Sequence, residues 1–301
     1  MKKLLFHING YRYLAEKVLA CGKFEEGVVE IDTFSDGECY QRICTPVENR
    51  DVVLIGGTVN DAATLELFDL ASSLVSYGAN SLSLVVPYFG YSTMERAVKP
   101  GEVVTAKTRA RLFSAIPRGN KGNKIYLFDL HTEGLPHYFE HELYPVHVYC
   151  KDIVIDAARQ YGGNNFVMAN TDAGRAKWVE SLANDMGVNA AFILKRRLSG
   201  DHTEVSAINA DVKGKTVMIY DDMIRSGGSI INAAQTYKDA GAAAIYVICT
   251  HGLFVNNGLE KLKASGLIEK VICTDTHKNI NPIHDEFLEV RSVADLICAA
   301  V

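Results

Sequence analysis

Two adjacent carboxylates, Asp221 and Asp222, follow a run of apolar and β-branched residues, which predicts a strand that ends at the two acids. Three residues further on, four small residues lead into an apolar, Ala-rich segment. They are Ser226, Gly227, Gly228 and Ser229. A loop of this kind at the start of a helix is a natural anion site, because backbone N–H groups point outward and the helix dipole favours negative charge. The carboxylates would repel a phosphate and suit sugar hydroxyls or a metal ion. The stretch therefore predicts a sugar-phosphate site, although either feature alone is typical of an ordinary turn.

Three further segments place chemically useful side chains next to apolar runs. His131 follows "LFDL", and a histidine just past a buried strand can ligate a metal or contact a phosphate. Asp172 follows "FVMANT", where a simple helix N-cap is the competing interpretation. Lys195 and Arg197 follow "AFIL", so a strand is expected to end in a cluster of cations. Such a cluster is more often a solvated surface patch than a site.

Predicted strands and predicted helices alternate along the chain, and they must position these residues. Short continuous apolar runs such as "DVVLI" and "TVMIY" are typical of strands buried on both faces of a parallel sheet. The segments between them, such as "GRAKWVESLANDMG", have helical spacing and end at glycine. The alternation predicts an α/β fold with mainly parallel sheets flanked by helices. The 301 residues favour two domains, which we place at residues 1–147 and 148–301.

Composition excludes several classes of protein. The net charge of -5 provides no basic excess for a general nucleic-acid or membrane-surface role. No run of about 18 apolar residues predicts a membrane span. Seven cysteines without a C-x-x-C pair favour reduced thiols and a cytoplasmic location. The sequence also lacks the G-x-x-x-x-G-K-[ST] segment of P-loop kinases.

The motifs, taken in order, resemble those of the ribose-phosphate pyrophosphokinases. The similar segments are "FSDGECYQRI" (34–43), "VVPYFGYSTMERAVKPGEVVTAKTRARLF" (85–113), "LFDLHTEGLPHYF" (127–139), "ANTDAGRAKW" (169–178), "FILKRRLSG" (192–200) and "GKTVMIYDDMIRSGGSI" (214–230). The resemblance implies two phosphoribosyltransferase-like domains, nucleotide in the first and ribose 5-phosphate in the second. It implies transfer of the β,γ-diphosphate of ATP to O1 of D-ribose 5-phosphate, with Mg²⁺ as cofactor. It also implies a homo-oligomer that shares its nucleotide sites.

The resemblance assigns a role to each candidate residue. The nucleotide would be bound by Phe34, Asp36, Glu38, Arg96 and His131. The metal would be bound by His131 and Asp172. Lys195 and Arg197 would begin a mobile loop that closes on the transferring group. Ribose 5-phosphate would be bound by Asp221, Asp222, Arg225, Ser226, Gly227, Gly228 and Ser229. The Asp-Gly pair of the first segment is equally typical of a plain hairpin turn.

Two departures from the family pattern are informative. The family's Arg-Gln-Asp-Arg run is replaced by Thr93–Arg96, so that only Arg96 remains as a cation. Arg225 stands where many members carry an acid that contacts ribose. The variants "STMER" and "RSGGS" are more similar to the class II branch, which implies broad triphosphate tolerance and independence from phosphate activation. Two alternatives stay open: a non-catalytic regulatory homologue of the synthases, and a phosphoribosyltransferase that consumes phosphoribosyl diphosphate.

Overall fold

The computed structural model describes residues 1–171, 176–199 and 202–301, with the backbone alone for 194–199 and 202–207. The chain divides into two compact units. Unit 1 comprises Met1–Tyr149, Thr276–Lys278 and Ser292–Val301, and unit 2 comprises Cys150–Asp275 and Asn279–Arg291. The last helix of the chain therefore belongs to unit 1, although the strand before it belongs to unit 2.

Unit 1 is built on a six-stranded parallel sheet and one antiparallel hairpin. Its strands are β1 (Lys3–His7), β2 (Phe24–Glu26), β3 (Val29–Thr33), β4 (Cys39–Ile43), β5 (Asp51–Ile55), β6 (Ser81–Val86), β7 (Asn123–Phe128) and β8 (Leu143–Val148). Its helices are α1 (Arg12–Leu19), α2 (Asp61–Ser76), α3 (Thr105–Ser114) and, at the end of the chain, α8 (Ala294–Ala300). The strand order is β2-β1-β5-β6-β7-β8, and β3 and β4 form the hairpin.

Unit 2 has a second six-stranded parallel sheet and a second hairpin. Its strands are β9 (Phe166–Ala169), β10 (Asn189–Ala191), β11 (Ile193–Ser199), β12 (His202–Ile208), β13 (Thr216–Ile224), β14 (Ala244–Gly252), β15 (Lys270–Thr274) and β16 (Leu288–Arg291). Its helices are α4 (Lys151–Gly162), α5 (Ala176–Met186), α6 (Gly228–Asp239) and α7 (Gly258–Ala264). The order is β10-β9-β13-β14-β15-β16, and β11 and β12 form the hairpin.

Helices cover both faces of the sheet in unit 2. Alternate side chains of a strand point to opposite faces. Val217 and Ile219 of β13 pack with apolar residues of α6 and α7, whereas Met218 and Tyr220 pack with residues of α4 and α5. Both faces of β13 are thus buried, which is why its sequence is a continuous apolar run and not an alternating one.

The architecture confirms the predicted α/β fold with two mainly parallel sheets flanked by helices. The prediction that a strand ends at the cations of "FILKRR" was wrong, because β11 runs through Lys195 and Arg197 and pairs with β12. Within the described ranges, none of the helices combines the length and the apolar character that crossing a lipid bilayer requires.

Candidate active site

The two aspartates lie inside β13 and not at its end. The strand stays paired with β14 from Thr216 to Ile224, and Asp221 is in register with Cys249. The prediction that the strand ends at the acids was therefore wrong. The pairing of β13 with β9 stops at Ile219, so the aspartates extend beyond the neighbouring strand on that side. This step in the sheet places them at the edge where the strand order reverses.

The aspartates differ in their exposure. Asp221 is half-buried, whereas Asp222 is only 1% exposed. By strand alternation, Asp221 lies on the face of Ile219 and α6, and Asp222 lies on the face of Tyr220, α4 and α5. The backbone N–H of Asp222 donates to Asp221 Oδ1 at 2.9 Å. Of the two carboxylates, Asp221 is the one that a ligand can reach.

A threonine from the neighbouring strand supports Asp221. Thr171, which follows β9 and is 6% exposed, donates from Oγ1 to Asp221 Oδ2 at 3.2 Å. The carboxylate is thus held from both oxygens before any ligand arrives. Sequence reasoning missed this contact, because the two residues are far apart in the chain. The available signal was the position of Thr171 just past a buried strand.

The loop after β13 is tightly packed on one side and open on the other. Gly227 is buried and has φ +81°, and a Cβ there would lie 3.0 Å from Leu262 Cγ. Gly258 of α7 approaches from the same side, where a Cβ would lie 2.6 Å from the carbonyl oxygen of Arg225. These close approaches require glycine. They hold this side of the loop against α7.

The opposite side of the loop faces open space. A Cβ built on Gly228 has no described heavy atom within 4 Å. Arg225, Ser226 and Ser229 are exposed, and α6 begins at Gly228. The first N–H groups of a helix lack partners within the helix. The start of α6 therefore offers backbone and hydroxyl donors to an anion, next to the accessible carboxylate of Asp221.

A buried amide lies at the end of β9. Asn170 is 1% exposed, and its side-chain nitrogen and oxygen have no hydrogen-bond partner among the described residues. The backbone carbonyl oxygen of Asn170 accepts from the Tyr237 hydroxyl at 3.0 Å. The same hydroxyl lies 3.1 Å from the backbone oxygen of Ala191. Burial raises the pKa of Tyr237, so that the phenol stays a donor. Tyr237 thus ties α6 to β9 and β10, a link that the sequence did not indicate.

The structure describes no side chain for three of the predicted site residues. Asp172 lies outside the described residues. Lys195 is in register with Val205, and Arg197 with Thr203, in the β11–β12 hairpin. The structure describes the backbone of these cations and not their side chains. The cations therefore belong to an antiparallel ribbon and not to an irregular loop.

The predicted adenine-binding residues form the turn of the β3–β4 hairpin. The Phe34 N–H donates to Glu38 O at 2.8 Å, and the Glu38 N–H donates to Asp36 Oδ1 at 3.1 Å. The Phe34 side chain is 55% exposed, and its ring lies 5.8 Å from that of Tyr40. The hairpin interpretation of this segment is confirmed. The turn also presents an aromatic face and two acids to the surroundings.

Arg96 and His131, the other predicted nucleotide residues, lie elsewhere in unit 1. Arg96 is 78% exposed, with its Nε 3.5 Å from Glu95 Oε1. His131 is half-buried and follows β7 by three residues.

The segment before α3 is shaped by Glu102, whose Oε2 accepts from the backbone N–H groups of Val98 and Lys99. These two bonds lower the pKa of Glu102.

The described side chains do not form a complete metal site by themselves. Among the side chains that the structure describes, those of His, Cys, Asp and Glu form no group of three placed to hold a metal ion. Magnesium is usually held by one or two carboxylates together with substrate phosphates and water. The accessible oxygens of Asp221 fit that mode of binding, and they do not fit a cage made of protein ligands alone.

Profiles of two protein families match the chain. Residues 3–116 match the N-terminal domain of ribose phosphate pyrophosphokinase, and residues 167–301 match the phosphoribosyl synthetase-associated domain. Together they cover most of the sheet of unit 1 and most of unit 2.

Individual proteins are similar along nearly the whole chain. The ribose-phosphate pyrophosphokinase of Ureaplasma parvum is 30% identical over 99% of this chain and 90% of its own length. That of Thermotoga maritima is 30% identical over 99% of this chain and 93% of its own length. The crystal structure of phosphoribosylpyrophosphate synthetase from Mycobacterium smegmatis superposes with a TM-score of 0.87, at 23% identity, over 99% of this chain and 97% of that one. This last comparison supports the fold.

Proposed function

The chain belongs to the ribose-phosphate pyrophosphokinase family, and we propose that it transfers the β,γ-diphosphate of ATP to O1 of D-ribose 5-phosphate. The products are phosphoribosyl diphosphate and AMP. The observation that carries the proposal is the open start of α6 beside Asp221, where the strand order of unit 2 reverses. Ligands of open α/β sheets bind at such points, outside the carboxyl ends of the strands.

Unit 2 would bind the sugar phosphate. The 5-phosphate would accept hydrogen bonds from the backbone and hydroxyls of the loop Ser226–Ser229, aided by the dipole of α6. The carboxylate of Asp221 would accept from ribose hydroxyls. Asp222 is too buried for direct contact in this state, so we assign it the support of Asp221 through its backbone N–H. Arg225 is exposed beside the loop and would lie near the phosphate.

Unit 1 would bind the nucleotide. The exposed ring of Phe34 suits stacking on adenine, and Asp36 and Glu38 would hold the base and ribose. Arg96 and His131 would contact the phosphates. We also propose a homo-oligomer in which the hairpin turn of one subunit serves a nucleotide site of another. This agrees with the protrusion of a large exposed aromatic side chain from that turn.

The chemistry is an in-line displacement. The anomeric hydroxyl attacks the β-phosphorus of ATP, its proton is lost to solvent or base, and AMP leaves. Lys195 and Arg197 on the β11–β12 hairpin would neutralise charge on the transferring diphosphate. Phosphoryl chemistry depends chiefly on positioning and electrostatic stabilisation, so two cations on one strand suit this task.

The proposed cofactor is Mg²⁺. In unit 2, Asp221 and Asp172 would hold Mg²⁺ together with the substrate phosphates. In unit 1, His131 is proposed to help bind Mg²⁺ with the nucleotide. The ion would neutralise charge on the phosphate oxygens. Following the class II resemblance, we propose broad triphosphate tolerance and no need for phosphate as an activator. We place the enzyme in the cytoplasm, because its seven cysteines are all free.

The test is an assay of AMP release. The protein is incubated with ATP, ribose 5-phosphate and Mg²⁺, and AMP and phosphoribosyl diphosphate are expected to form one for one. Lys195→Ala is expected to lower kcat at least about 100-fold, or about 2.7 kcal/mol of barrier. Lys213→Ala removes an exposed lysine of the same unit and serves as the matched control.

The outcomes separate the alternatives. Absence of AMP release by the unmodified protein, with ribose 5-phosphate still bound, would indicate a regulatory homologue. Release of nucleotide only when a base and phosphoribosyl diphosphate are supplied would indicate a phosphoribosyltransferase. Equal rates for both lysine variants would remove Lys195 from the mechanism.

A further inference from the structure

Two cysteines from opposite ends of the chain meet in unit 1. Cys21 lies in the turn after α1, and Cys298 lies in α8. The Cys21 N–H donates to the carbonyl oxygen of Val18 at 3.2 Å, and Cys298 Sγ lies 3.6 Å from that same oxygen. Burial, and next the hydrogen bond with the Cys21 thiol, raises the pKa of Cys298 to about 12. The two cysteines therefore meet at the carbonyl oxygen of Val18.

The two thiols differ in access. Cys21 is exposed, whereas Cys298 is 6% exposed. A dissolved oxidant therefore reaches Cys21 first. Cys298 is shielded from that oxidant, but it is not shielded from a modified Cys21. This is the arrangement of an accessible thiol next to a resolving thiol.

A second thiol pair provides a contrast within the same chain. Cys249 and Cys273 are in register on β14 and β15, and each is 1% exposed. Burial, and next the hydrogen bond with Cys273, raises the pKa of Cys249 well above its ordinary value. The thiolate is the reactive form of cysteine, so a sealed pair of this kind is expected to be inert. The members of each pair lie close together, and access to solvent distinguishes the two pairs.

We propose that Cys21 and Cys298 form a peroxide-sensitive thiol pair that closes to a disulfide and anchors α8 to unit 1. The proposal does not depend on the transfer reaction. It rests on the carbonyl oxygen of Val18 that both cysteines contact and on their unequal exposure.

The chemistry needs one equivalent of hydrogen peroxide. The Cys21 thiolate attacks one peroxide oxygen, the O–O bond breaks, and a sulfenic acid and water form. The Cys298 sulfur then attacks the Cys21 sulfur, an S–S bond forms, and the sulfenic hydroxyl leaves with the Cys298 proton as water. Overall, two thiols lose two electrons and two protons, and peroxide becomes two molecules of water.

Two charged neighbours affect the ionisation of Cys298, which attacks the oxidised Cys21, in opposite directions. Lys23 Nζ donates to the carbonyl oxygen of Cys298 at 2.8 Å, and its charge favours the Cys298 thiolate. Asp295 opposes ionisation. Burial outweighs the lysine, so the resolving thiol is a weak acid. We therefore expect the disulfide to form slowly once Cys21 has been oxidised.

Closing the bond would change how α8 is held. In the reduced protein, α8 is fixed by packing of Ile297 and Cys298 and by the Lys23 contact. A bond between Cys21 and Cys298 closes a loop that includes most of the chain. Cross-links over long loops constrain the unfolded state and stabilise the folded one. The oxidised protein should unfold at a higher temperature.

The experiment uses the full chain. The reduced protein is treated with hydrogen peroxide, free thiols are alkylated, and non-reduced peptides are analysed by mass spectrometry. We expect a peptide pair linked through Cys21 and Cys298, reversed by dithiothreitol, together with a rise of at least about 3 °C in Tm. No link through Cys249 or Cys273 is expected.

The variants make the outcome decisive. Cys21→Ser changes an exposed side chain and should abolish both the link and the rise in Tm. Cys298→Ser should leave Cys21 oxidised but unlinked. The proposal is overturned if Cys21 is oxidised to sulfinic acid without a link in the unmodified protein, or if the buried pair is linked instead. It is also overturned if the Cys21→Ser variant gains the same rise in Tm.

Discussion

The two units repeat one plan. Apart from α4, which precedes the first strand of unit 2, each has a strand, a helix and a short edge strand, then an antiparallel hairpin, and then strands and helices in turn. The sheets have matching orders, β2-β1-β5-β6-β7-β8 in unit 1 and β10-β9-β13-β14-β15-β16 in unit 2. Each therefore has a crevice where the strand order reverses, between β1 and β5 or between β9 and β13.

The contents of the two crevices differ. In unit 1, Tyr11 is fully buried beside the loop after β5, and a Cβ on Gly57 would lie 1.9 Å from its Oη. That hydroxyl donates to the carbonyl oxygen of Thr276 at 2.9 Å. In unit 2, the corresponding loop leaves open space at Gly228 and has a carboxylate, Asp221, at its side. The chain's own tyrosine packs tightly against the glycine of the first loop, whereas the glycine of the second loop faces open space.

The comparison separates what topology supplies from what side chains supply. The strand order creates a crevice in both units, with a helix start pointing into it. In unit 2 the adjoining loop residues are small, and the acid Asp221 stays accessible. Tyr11 does not occupy the whole crevice of unit 1, because a cavity of about 300 Å³ remains there, lined by Tyr11, Asn60, Glu66 and Lys278 among others. That cavity lacks the adjacent carboxylates that end the apolar part of β13.

The largest effect is expected where Tyr11 packs against the loop of unit 1. Gly57→Ala would place a methyl group against the ring of Tyr11, 2.5 Å from Cζ as well as 1.9 Å from Oη. Overpacking of this kind costs about 1–3 kcal/mol. Denaturant unfolding should show a loss near the upper end of this range.

The control for this change is Gly134→Ala. That glycine has φ −79° and open space around its Cβ position, so its unfolding free energy should change by less than about 0.5 kcal/mol. Equal losses for the two variants would mean that Tyr11 does not pack tightly against Gly57.

A substitution in the open crevice of unit 2 should weaken substrate binding and leave the stability of the fold unchanged. Asp221→Asn keeps the shape of the side chain and removes its charge. A hydrogen bond to a charged group contributes about 1.5–3 kcal/mol, so KM for ribose 5-phosphate should rise at least about tenfold. Steady-state kinetics would measure it.

Two variants sharpen this test. Thr171→Val removes the hydroxyl that holds Asp221 and should raise the same KM by about threefold to fivefold. Asp211→Asn alters an exposed acid of the same unit and should have no effect on KM. If Asp221→Asn matched Asp211→Asn, the open crevice would not be the sugar site.

The smallest effect is expected at Arg225. Its side chain is exposed, and backbone N–H groups provide most of the proposed phosphate contacts. Arg225→Gln should therefore change the affinity for ribose 5-phosphate by less than about threefold. A larger loss, measured by calorimetric titration, would show that the cation itself holds the phosphate.

The sequence predicted the buried framework well, for a physical reason. Strands covered on both faces must be apolar throughout, so β5 and β13 are visible as uninterrupted runs. Edge strands carry no such constraint. The three-residue strands β2 and β10 are too short and too mixed to recognise, and the duplication of the plan leaves no obvious repeat in the sequence.

The site was only partly predictable. The glycine-containing loop is visible because close packing and positive φ at Gly227 demand a particular residue. The unequal exposure of Asp221 and Asp222 is not visible, because it depends on which face of the strand each one occupies. The Thr171 contact and the packing of Tyr11 against the loop of unit 1 depend on residues that are far apart in the chain.

The most direct test is a crystal structure with ribose 5-phosphate bound. We expect the phosphate within hydrogen-bond distance of the N–H groups of residues 227–229, with Asp221 accepting from a ribose hydroxyl. A phosphate bound instead at the start of α2, beside Asn60 in unit 1, would contradict the assignment of the sugar site to the open crevice.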